Sequence, residues 1–194
     1  MCSKEREHLS THCQNGRTDI GKERVTDDCE THYKEIEVDD RPVHLCVEDT
    51  LGRPQFDRTR PLSYPRTNVF IICASLVDPE VFDDVRNKWH LEIVNYSQWN
   101  ELKAPILVVG TKADLRDNAD VLIDLREHNQ TPTTEEHGRQ LAQDMKASYM
   151  ECSIHDQDSI NRVFEEAIRL TRPRLHRRST QLLNKMSGNY CTCL

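Results

Sequence analysis

In residues 106–114 the chain reads ILVVGTKAD, a short apolar run that ends in a glycine and continues into a Thr-Lys-x-Asp tetrad. The apolar run has the length and composition of a β-strand covered on both faces. The carboxylate of Asp114 only accepts hydrogen bonds, so it suits guanine, which offers N1–H and an amine side by side. The methylene stem of Lys112 can lie along a base plane. Because open parallel sheets bind ligands beyond the carboxyl ends of their strands, the tetrad is predicted to bind a guanine base.

Apolar periodicity predicts further strands and helices on both sides of this run. Residues 36–38 and 43–47 alternate in polarity around a short turn, which is typical of a hairpin. Residues 68–76 form a second continuous apolar run, and residues 148–152 are a weaker strand candidate. Helical periodicity separates the strands, with predicted N-caps at Asp78, Thr133 and Asp158. This alternation predicts an α/β fold in which helices flank a mainly parallel sheet.

Length and charge distribution limit the kind of protein that this chain can be. A chain of 194 residues suits one domain with tails. The formal net charge is −7, yet every charged residue after Glu166 is basic. An acidic body with a basic tail argues against nucleic-acid binding and favours contact of the tail with an anionic surface. We expect a divergent, poorly ordered segment at 1–32, a globular domain at 33–172 and a basic tail at 173–194.

The eight cysteines show no spacing that is typical of a disulfide framework. Cys73 and Cys152 lie in apolar, strand-like contexts, where a free thiol packs as a small hydrophobic group. No apolar run approaches the length of a bilayer span. The composition therefore predicts a protein of the reducing cytosol, in which any membrane attachment comes from the tail.

A second candidate motif, Asp49-Thr50-Leu51-Gly52, directly follows the second strand of the predicted hairpin. A carboxylate at the end of a strand can hold Mg²⁺, often through water, and the N–H of a following glycine can approach a γ-phosphate. The alternative is an ordinary turn in which the glycine supplies a left-handed conformation. The tetrad further along the chain favours the nucleotide-binding interpretation.

Residues 49–65, which read DTLGRPQFDRTRPLSYP, resemble the second switch region of Rho-family small GTPases, in which RPLSYP is distinctive. The similarity extends from Tyr33 to about Arg172, and residues 115–132 are similar to the helical insert that separates Rho proteins from other Ras-like proteins. The resemblance implies a Ras-like P-loop G domain that binds GTP or GDP with Mg²⁺. It also implies effector and regulatory proteins of the Rho type as partners, and a role in signalling to the actin cytoskeleton or in cell shape.

The resemblance further implies roles for individual residues. Thr111, Lys112 and Asp114 would bind the guanine base. Ser153 would hold Asp114 in place, and the backbone N–H of Ile154 would reach guanine O6. Family members usually have alanine at the last of these positions, so the larger isoleucine is expected to crowd the base.

On the phosphate side of the site, Asp49 would face Mg²⁺ and Gly52 would face the γ-phosphate. The family has a glutamine at the position of Arg53, where it orients the attacking water. A guanidinium group has donors only and cannot accept a hydrogen bond from that water. We therefore expect impaired GTP hydrolysis; the alternative is that Arg53 stabilises transition-state charge as an arginine finger in cis.

The phosphate-binding loop of the family is only weakly represented. Gly16, Gly21 and Lys22 have the spacing of a G-x-x-x-x-G-K loop, but Glu23 replaces the hydroxyl residue that binds Mg²⁺. Residues 5–15 contain one strong hydrophobic residue, so no buried first strand is predicted before the loop. The segment is either a chance match in a divergent N-terminus or a P-loop remnant. A sheet without its first strand is expected to have a gap.

The final residues, Cys191-Thr192-Cys193-Leu194, fit a C-a-a-X box whose terminal leucine favours geranylgeranylation of Cys191. One lipid anchors weakly, and the basic residues between Arg172 and Lys185 would add electrostatic attraction to an anionic membrane. The expected location is the cytoplasmic face of the plasma membrane or of an internal membrane, with a cytosolic pool. The alternative is a coincidental terminal cysteine on a solvated tail.

Two functional hypotheses follow from these features. The first is a membrane-associated, Rho-like GTP-binding signalling protein that recognises guanine and hydrolyses GTP poorly. The second is a pseudo-GTPase, an interaction module that binds partners through the same surface without a nucleotide cycle. The tetrad and the C-a-a-X box favour the first hypothesis, whereas Glu23 and Arg53 favour the second.

Overall fold

The computed structural model describes residues 24–26, 29–100, 104–182 and 192–193. The strands within these ranges are β1 (Arg24–Thr26), β2 (Cys29–Glu37), β3 (Pro42–Thr50), β4 (Phe70–Ser75), β5 (Ile106–Thr111), β6 (Ser148–Glu151) and β7 (Thr192–Cys193). The α-helices are α1 (Pro79–Asp84), α2 (Leu91–Asn100), α3 (Ala119–Glu127), α4 (Glu135–Asp144) and α5 (Gln157–Leu182). A π-helix (Val85–His90) joins α1 to α2, and short 3₁₀ helices cover Pro54–Phe56, Arg60–Ser63 and Ala113–Leu115.

A parallel sheet of β4, β5 and β6 lies at the centre of the fold, with β5 in the middle. Val108 in β5 faces a cluster formed with α1, α2 and α4, whereas Leu107 and Val109 face α5. These three side chains have no exposed surface. The continuous apolar run of β5 follows from this arrangement, because both of its faces are covered by helices. The three predicted strands and the α/β fold class are confirmed.

The predicted hairpin is also present, and it forms a separate sheet. β2 and β3 pair antiparallel, with Ile36 opposite Val43, and β1 extends the sheet on the outer side of β2. On the other edge, Leu45 and Cys46 of β3 pair in parallel with Thr192 and Cys193 of β7. Within the described ranges no strand joins β3 to β4.

Helix α5 connects the hairpin to the parallel sheet. Its residue Ile168 packs with Val38 and Leu45 of the hairpin region, while Phe164 contacts both this cluster and the core beneath β5. At the turn of the hairpin, Asp39 accepts a hydrogen bond from Nη2 of Arg169 at 2.9 Å. The predicted apolar stripe of this helix thus packs between the hairpin and the parallel sheet.

Two of the three predicted helix caps are wrong by one or two residues. The side chain of Thr134, not Thr133, caps α4 by accepting from the N–H of His137 at 3.2 Å. Thr133 is buried, and its own N–H donates to the carbonyl oxygen of Leu76 at 2.8 Å. For α5, the carboxylate of Asp156 accepts from the N–H groups of Asp158 and Ser159 at 3.1 Å, so Asp156 is the cap.

The third cap is confirmed, because the Asp78 carboxylate accepts from the N–H of Val81 at 3.3 Å. Helix α5 runs to Leu182, past the domain end expected at residue 172. Among the described residues, no helix is both long enough and apolar enough to cross a bilayer.

Candidate functional site

The tetrad lies in the loop that follows β5, at the carboxyl edge of the parallel sheet. Thr111 ends the strand, and Lys112 adopts a left-handed backbone conformation with φ 60° and ψ 39° before the 3₁₀ helix Ala113–Leu115. Such a conformation is uncommon for a residue with a side chain and is often found at functional loops. It is held by a hydrogen bond from the N–H of Ala113 to the carbonyl oxygen of Cys152 at 3.1 Å.

The loop after β6 meets the tetrad because β5 and β6 are parallel neighbours, with Gly110 opposite Glu151. The Ser153 hydroxyl donates to Oδ1 of Asp114 at 2.5 Å and accepts from the N–H of His155 at 3.0 Å. The N–H of Ser153 in turn donates to Oγ of Ser159 at 3.1 Å, which ties the loop to the first turn of α5. The carboxylate of Asp114 is therefore held in a fixed orientation by backbone-anchored groups.

A network of hydrogen bonds also holds in place the loop after β5 and the loop after β6. Nη2 of Arg116 donates to Oε1 of Glu151 at 2.5 Å, and its Nε donates to the carbonyl oxygen of Thr133 at 3.2 Å. The Tyr149 hydroxyl donates to the same Glu151 oxygen at 2.7 Å. Burial, together with this hydrogen bond, raises the pKa of Tyr149 above its usual range. The phenol therefore stays protonated at neutral pH and remains a donor to Glu151.

The Cys152 thiol between the two loops is a packing group. It is 2% exposed, and burial, with added repulsion from the Asp114 carboxylate, raises its pKa to about 11. The thiol is thus protonated at neutral pH, and a protonated thiol is a poor nucleophile. The prediction that this residue packs as a small hydrophobic group agrees with its position in the core cluster beneath β5.

Three features of this edge fit a guanine base. Asp114 has a quarter of its side chain exposed and presents acceptors only. The Thr111 hydroxyl is buried and has no hydrogen-bond partner among the described residues, which is costly unless a ligand or water satisfies it. Ile154, the next predicted contact, is half-buried beside them. The two loops thus bring five predicted residues together, namely Thr111, Lys112, Asp114, Ser153 and Ile154, while their roles in nucleotide binding stay predictions.

The Asp49–Gly52 motif lies at the end of β3, on the other sheet. Asp49 and Thr50 are the last residues of the strand, and Gly52 is buried just beyond it. Within the described ranges, no three His, Cys, Asp or Glu side chains cluster as a ready-made metal site. Mg²⁺ commonly uses one or two carboxylates and takes its remaining ligands from phosphates and water. Asp49 therefore suits a Mg²⁺ ion that takes its other ligands from the phosphates of a bound nucleotide and from water.

Arg53 follows this motif with an exposed side chain. Its backbone is extended, with φ −72° and ψ 144°, because the 3₁₀ helix Pro54–Phe56 begins at the next residue. The carbonyl oxygen of Arg53 accepts from the N–H of Phe56 at 3.0 Å, which fixes the start of the loop. The guanidinium is thus presented to solvent beside the motif that the resemblance assigns to the γ-phosphate.

Sequence reasoning missed the ion pair that anchors the rest of this loop. Arg60 is 3% exposed, and its Nε and Nη2 donate to the two carboxylate oxygens of Glu92 at 2.9 and 2.6 Å. Nη1 donates to the carbonyl oxygen of Leu51 at 2.8 Å, and Nη2 also contacts Asp57 at 2.6 Å. Burial opposes the charge of Arg60, but the hydrogen bonds outweigh it and raise its pKa. No local pattern in the sequence signals a partner 32 residues away.

Two aromatic residues complete this anchor. The Tyr64 hydroxyl donates to Oε1 of Glu92 at 2.5 Å, and the Arg60 guanidinium lies 4.7 Å from the ring centre of Trp89. Trp89 belongs to the π-helix, a kind of irregularity that is often found at functional sites. The loop from Leu51 to Tyr64 is thereby fastened to the helical segment that begins at Val85.

Sequence reasoning also missed His155, although it lies next to a predicted contact. Its Nε2 is 3.9 Å from Oδ2 of Asp114, and 79% of its side chain is exposed. One feature of the sequence could have identified it: His155 lies two residues after Ser153, in a loop predicted to contact the base.

Several predicted site residues lie outside the described residues. They are Gly16, Gly21 and Lys22 of the possible P-loop remnant, Glu23 beside them, and the lipidation candidate Cys191. The proposed phosphate loop and the lipid anchor therefore stay predictions.

Comparison with models of known protein families gives a match to this chain. The model of the Ras family matches residues 20–172. The match covers well over half of the 194 residues and includes every strand and loop that builds the tetrad site. Family membership implies guanine-nucleotide binding, usually with Mg²⁺, and regulator and effector proteins as partners. The chain therefore belongs to the Ras family of small GTP-binding proteins.

Proposed function

We propose that this chain is a Rho-type, membrane-associated signalling protein that selects guanine through Asp114 but holds phosphates weakly and hydrolyses GTP slowly. The observation that carries the proposal is the Asp114 carboxylate, oriented by Ser153 beside the unsatisfied hydroxyl of Thr111. The RPLSYP stretch and the insert at 115–132 support the Rho type, and with it a role in the cytoskeleton or cell shape.

Base selection follows from the hydrogen-bonding character of Asp114. Guanine offers two donors, N1–H and the exocyclic amine, to its carboxylate, whereas adenine presents an acceptor at N1. Hydrogen bonds to a charged group contribute about 1.5–3 kcal/mol each, so two of them give roughly a 10²- to 10⁴-fold preference for guanine. The hydrogen bond from Ser153 keeps the carboxylate from rotating away, so little ordering is needed on binding.

Slow hydrolysis follows from Arg53. Hydrolysis requires a water molecule to be positioned against the γ-phosphate, and a group that only donates hydrogen bonds cannot accept one from that water. Arg53 is exposed at the start of the 51–64 loop, and the loop beyond it is held by Arg60.

Weak phosphate binding is the second departure from an ordinary switch. Charge-assisted hydrogen bonds to phosphates are stronger than neutral ones and supply much of the affinity in such sites. In the sequence match to the phosphate loop, Glu23 stands where the family has a hydroxyl residue, and a carboxylate there would repel phosphate oxygens. The affinity for GTP should therefore be orders of magnitude lower than in family members with a complete phosphate loop.

The pseudo-GTPase is the second candidate function, and the Arg60 anchor favours it. Arg60, Glu92 and Tyr64 hold the 51–64 loop against the helical segment through contacts that involve no nucleotide. Leu62 in this loop is 75% exposed. A loop that is held by contacts within the protein can present its exposed residues to a partner protein independently of a nucleotide cycle.

Titration with GDP and ADP separates the two candidates. GDP binding to the intact chain, at least about 10²-fold tighter than ADP binding, supports the proposed function. Asp114→Asn should remove that preference, while Asp120→Asn, in the first turn of α3, should leave it unchanged. Equal binding of the two nucleotides, or no binding of either, would favour the pseudo-GTPase.

The membrane anchor is tested separately in cells. Cys191→Ser should move the protein from the membrane fraction to the soluble fraction, because the basic tail alone attracts a membrane only weakly. Cys73→Ser, at a position inside the parallel sheet, serves as a control for general effects of losing a thiol. A Cys191→Ser protein that stays on membranes would contradict lipidation at this residue.

A further inference from the structure

Strand β3 has a neighbour on each side, and one of them comes from the C-terminal end of the chain. β2 pairs with β3 along the whole strand. On the opposite edge β7 pairs in parallel, with Thr192 opposite Leu45 and Cys193 opposite Cys46. The backbone groups along the edge of a sheet readily pair with an added strand. The middle of β3 is thus a strand-docking site that the C-terminus of this chain occupies.

The path of the chain allows this return. Ile168 of α5 packs with Leu45, so the helix passes beside the docking site. The helix ends at Leu182, about 21 Å further along its axis. Residues 183–191 can span up to about 30 Å when extended. This length is enough to bring Thr192 back to β3.

The distribution of charge also favours the contact. In residues 29–50, which form the hairpin, acidic side chains outnumber basic ones by seven to two. After Glu166 every charged residue is basic. At the beginning of this basic stretch, Nη2 of Arg169 already lies 2.9 Å from Oδ1 of Asp39 in the hairpin turn. Opposite charges attract over about 8–10 Å at physiological salt, so the basic tail is drawn towards the hairpin.

We propose that the edge of β3 at Leu45 and Cys46 docks Thr192 and Cys193 of the C-a-a-X box, and that docking and lipid transfer to Cys191 exclude each other. The lipid half of this inference rests on the proposed function, whereas the docking half does not. The last residue of such a box decides which lipid is attached, so the transferase must bind the residues after the modified cysteine. A box whose backbone is paired with β3 is not accessible to that enzyme.

The pairing is short, and the box can therefore be released. A two-residue strand makes only one or two backbone hydrogen bonds to its neighbour, and each favours the docked state by about 2- to 10-fold. Burial of a lipid chain in a bilayer, together with attraction of a basic segment to anionic lipids, is a stronger interaction. The docked state thus belongs to the unlipidated chain, and the membrane-bound state to the lipidated one.

Cross-linking of the native thiols tests docking in the unlipidated chain. Neighbouring strands lie about 4.8 Å apart, a Cα separation that a disulfide can span. Diamide takes up the two thiol hydrogens as a disulfide forms, and it should join Cys46 to Cys193 within one molecule. Mass analysis of proteolytic peptides identifies the linked pair. Cys193→Ser should abolish this link, whereas Cys191→Ser should leave it unchanged.

The register makes the cross-linking result specific. Equal linking of Cys46 to Cys191 and to Cys193 would show a tail that only passes near β3, and would overturn docking. A Cys46–Cys193 link found only in dimers would place the strand of a second copy on β3, and would overturn docking within one chain.

Hydrogen exchange gives a second measurement of docking. Replacing both Thr192 and Cys193 with proline removes the donors of β7 and should break the pairing. Exchange at the Leu45 or Cys46 amide that faces β7 should then become about three- to tenfold faster. Replacing both residues with valine, which favours strands, is the matched control and should leave exchange unchanged.

The same measurement after geranylgeranylation tests the exclusion. On vesicles of phosphatidylcholine and phosphatidylserine, the lipidated chain should exchange as fast as the double-proline variant, and the unlipidated chain should stay protected. Protection that survives lipidation would overturn the exclusion, and so would a chain that docks but accepts no lipid, which also contradicts the proposed anchor. Absence of the cross-link and of the proline effect would overturn docking and leave the proposed function standing.

Discussion

Arg60 and Arg53 belong to the same loop, yet they have opposite environments. The Arg60 side chain is 2% exposed and satisfies its donors with Glu92, Asp57 and a backbone carbonyl group. Arg53 extends into solvent where the resemblance predicts a catalytic glutamine. Arg60 therefore fixes the conformation of the loop, and Arg53 is the residue that we propose limits hydrolysis there.

Arg60→Ala should lower the free energy of unfolding by about 3–5 kcal/mol, because it leaves Glu92 as a largely buried charge without its partner. Chemical denaturation measures this change. Arg139→Ala, which removes an exposed pair with Glu135, should change stability by less than about 1 kcal/mol. If the two variants lose equal stability, the Arg60 pair does not anchor the loop.

Arg53→Gln should raise the rate of GTP hydrolysis by about tenfold or more, because the amide can accept a hydrogen bond from the attacking water. Single-turnover measurements at saturating GTP isolate this step from weak binding. Arg58→Gln, an exposed position in the same loop, is the matched control. A rate that falls on Arg53→Gln would instead support the arginine finger in cis.

Packing between elements explains which predictions from the sequence succeeded. The strands at 70–75 and 106–111 were predictable because burial on both faces requires continuous apolar runs. The cap at Thr133 was wrong because a tertiary contact decided it: the N–H of Thr133 pairs with the carbonyl oxygen of Leu76, just after β4. The cap at Asp158 was wrong because Asp156, two residues earlier, accepts from the N–H groups of the first helical turn. Sequence periodicity carries no information about such choices.

The residues of the candidate site also divide into those that the sequence predicted and those that it did not. The tetrad and Ser153 were predictable from a local motif and a family resemblance. The contact of His155 with Asp114 joins residues that are far apart in sequence and depends on how two loops meet. The pairing of Arg60 with Glu92 likewise depends on the packing of a helix against a loop.

Helix α4 lies close to β6 because Gly138 has no side chain at the contact. A Cβ atom at this position would lie 2.2 Å from the Tyr149 ring, which cannot swing freely because its hydroxyl group is bonded to Glu151. Gly138→Ala should therefore reduce the free energy of unfolding by about 1–3 kcal/mol, despite the better helix propensity of alanine.

Thermal or chemical denaturation tests this prediction, with Gln140→Ala on the exposed side of α4 as the control. Pairing Gly138→Ala with Tyr149→Leu should restore part of the lost stability by removing the clash. A stabilised Gly138→Ala variant would show that α4 can shift without cost.

The described part of the molecule contains two sheets, and helix α5 packs against both of them. Within the described ranges no strand joins β3 to β4. Phe164 of α5 packs against both sheets, whereas Ile168 packs against the hairpin. A two-stranded hairpin has little stability by itself, so its order depends on these contacts.

Native-state hydrogen exchange should distinguish the hairpin from the parallel sheet by their different rates of amide exchange. Amides of β5 should exchange most slowly, and those of β2 and β3 should exchange faster, because local opening of the hairpin needs less free energy than global unfolding. Ile168→Ala should accelerate exchange in the hairpin more than in β5, since Ile168 packs with Val38 and Leu45. Identical exchange free energies in both sheets would contradict this division.

The central claim is that the site selects guanine at one end while binding the phosphates weakly at the other. The most direct test compares the affinities of guanosine, adenosine and GTP for the intact chain, with and without Mg²⁺. We predict a clear preference for guanosine over adenosine, and GTP binding no more than roughly 100-fold tighter than guanosine, as one or two surviving phosphate contacts would give. Capture of GTP many orders of magnitude more tightly than guanosine, only in the presence of Mg²⁺ and followed by rapid turnover, would contradict the claim.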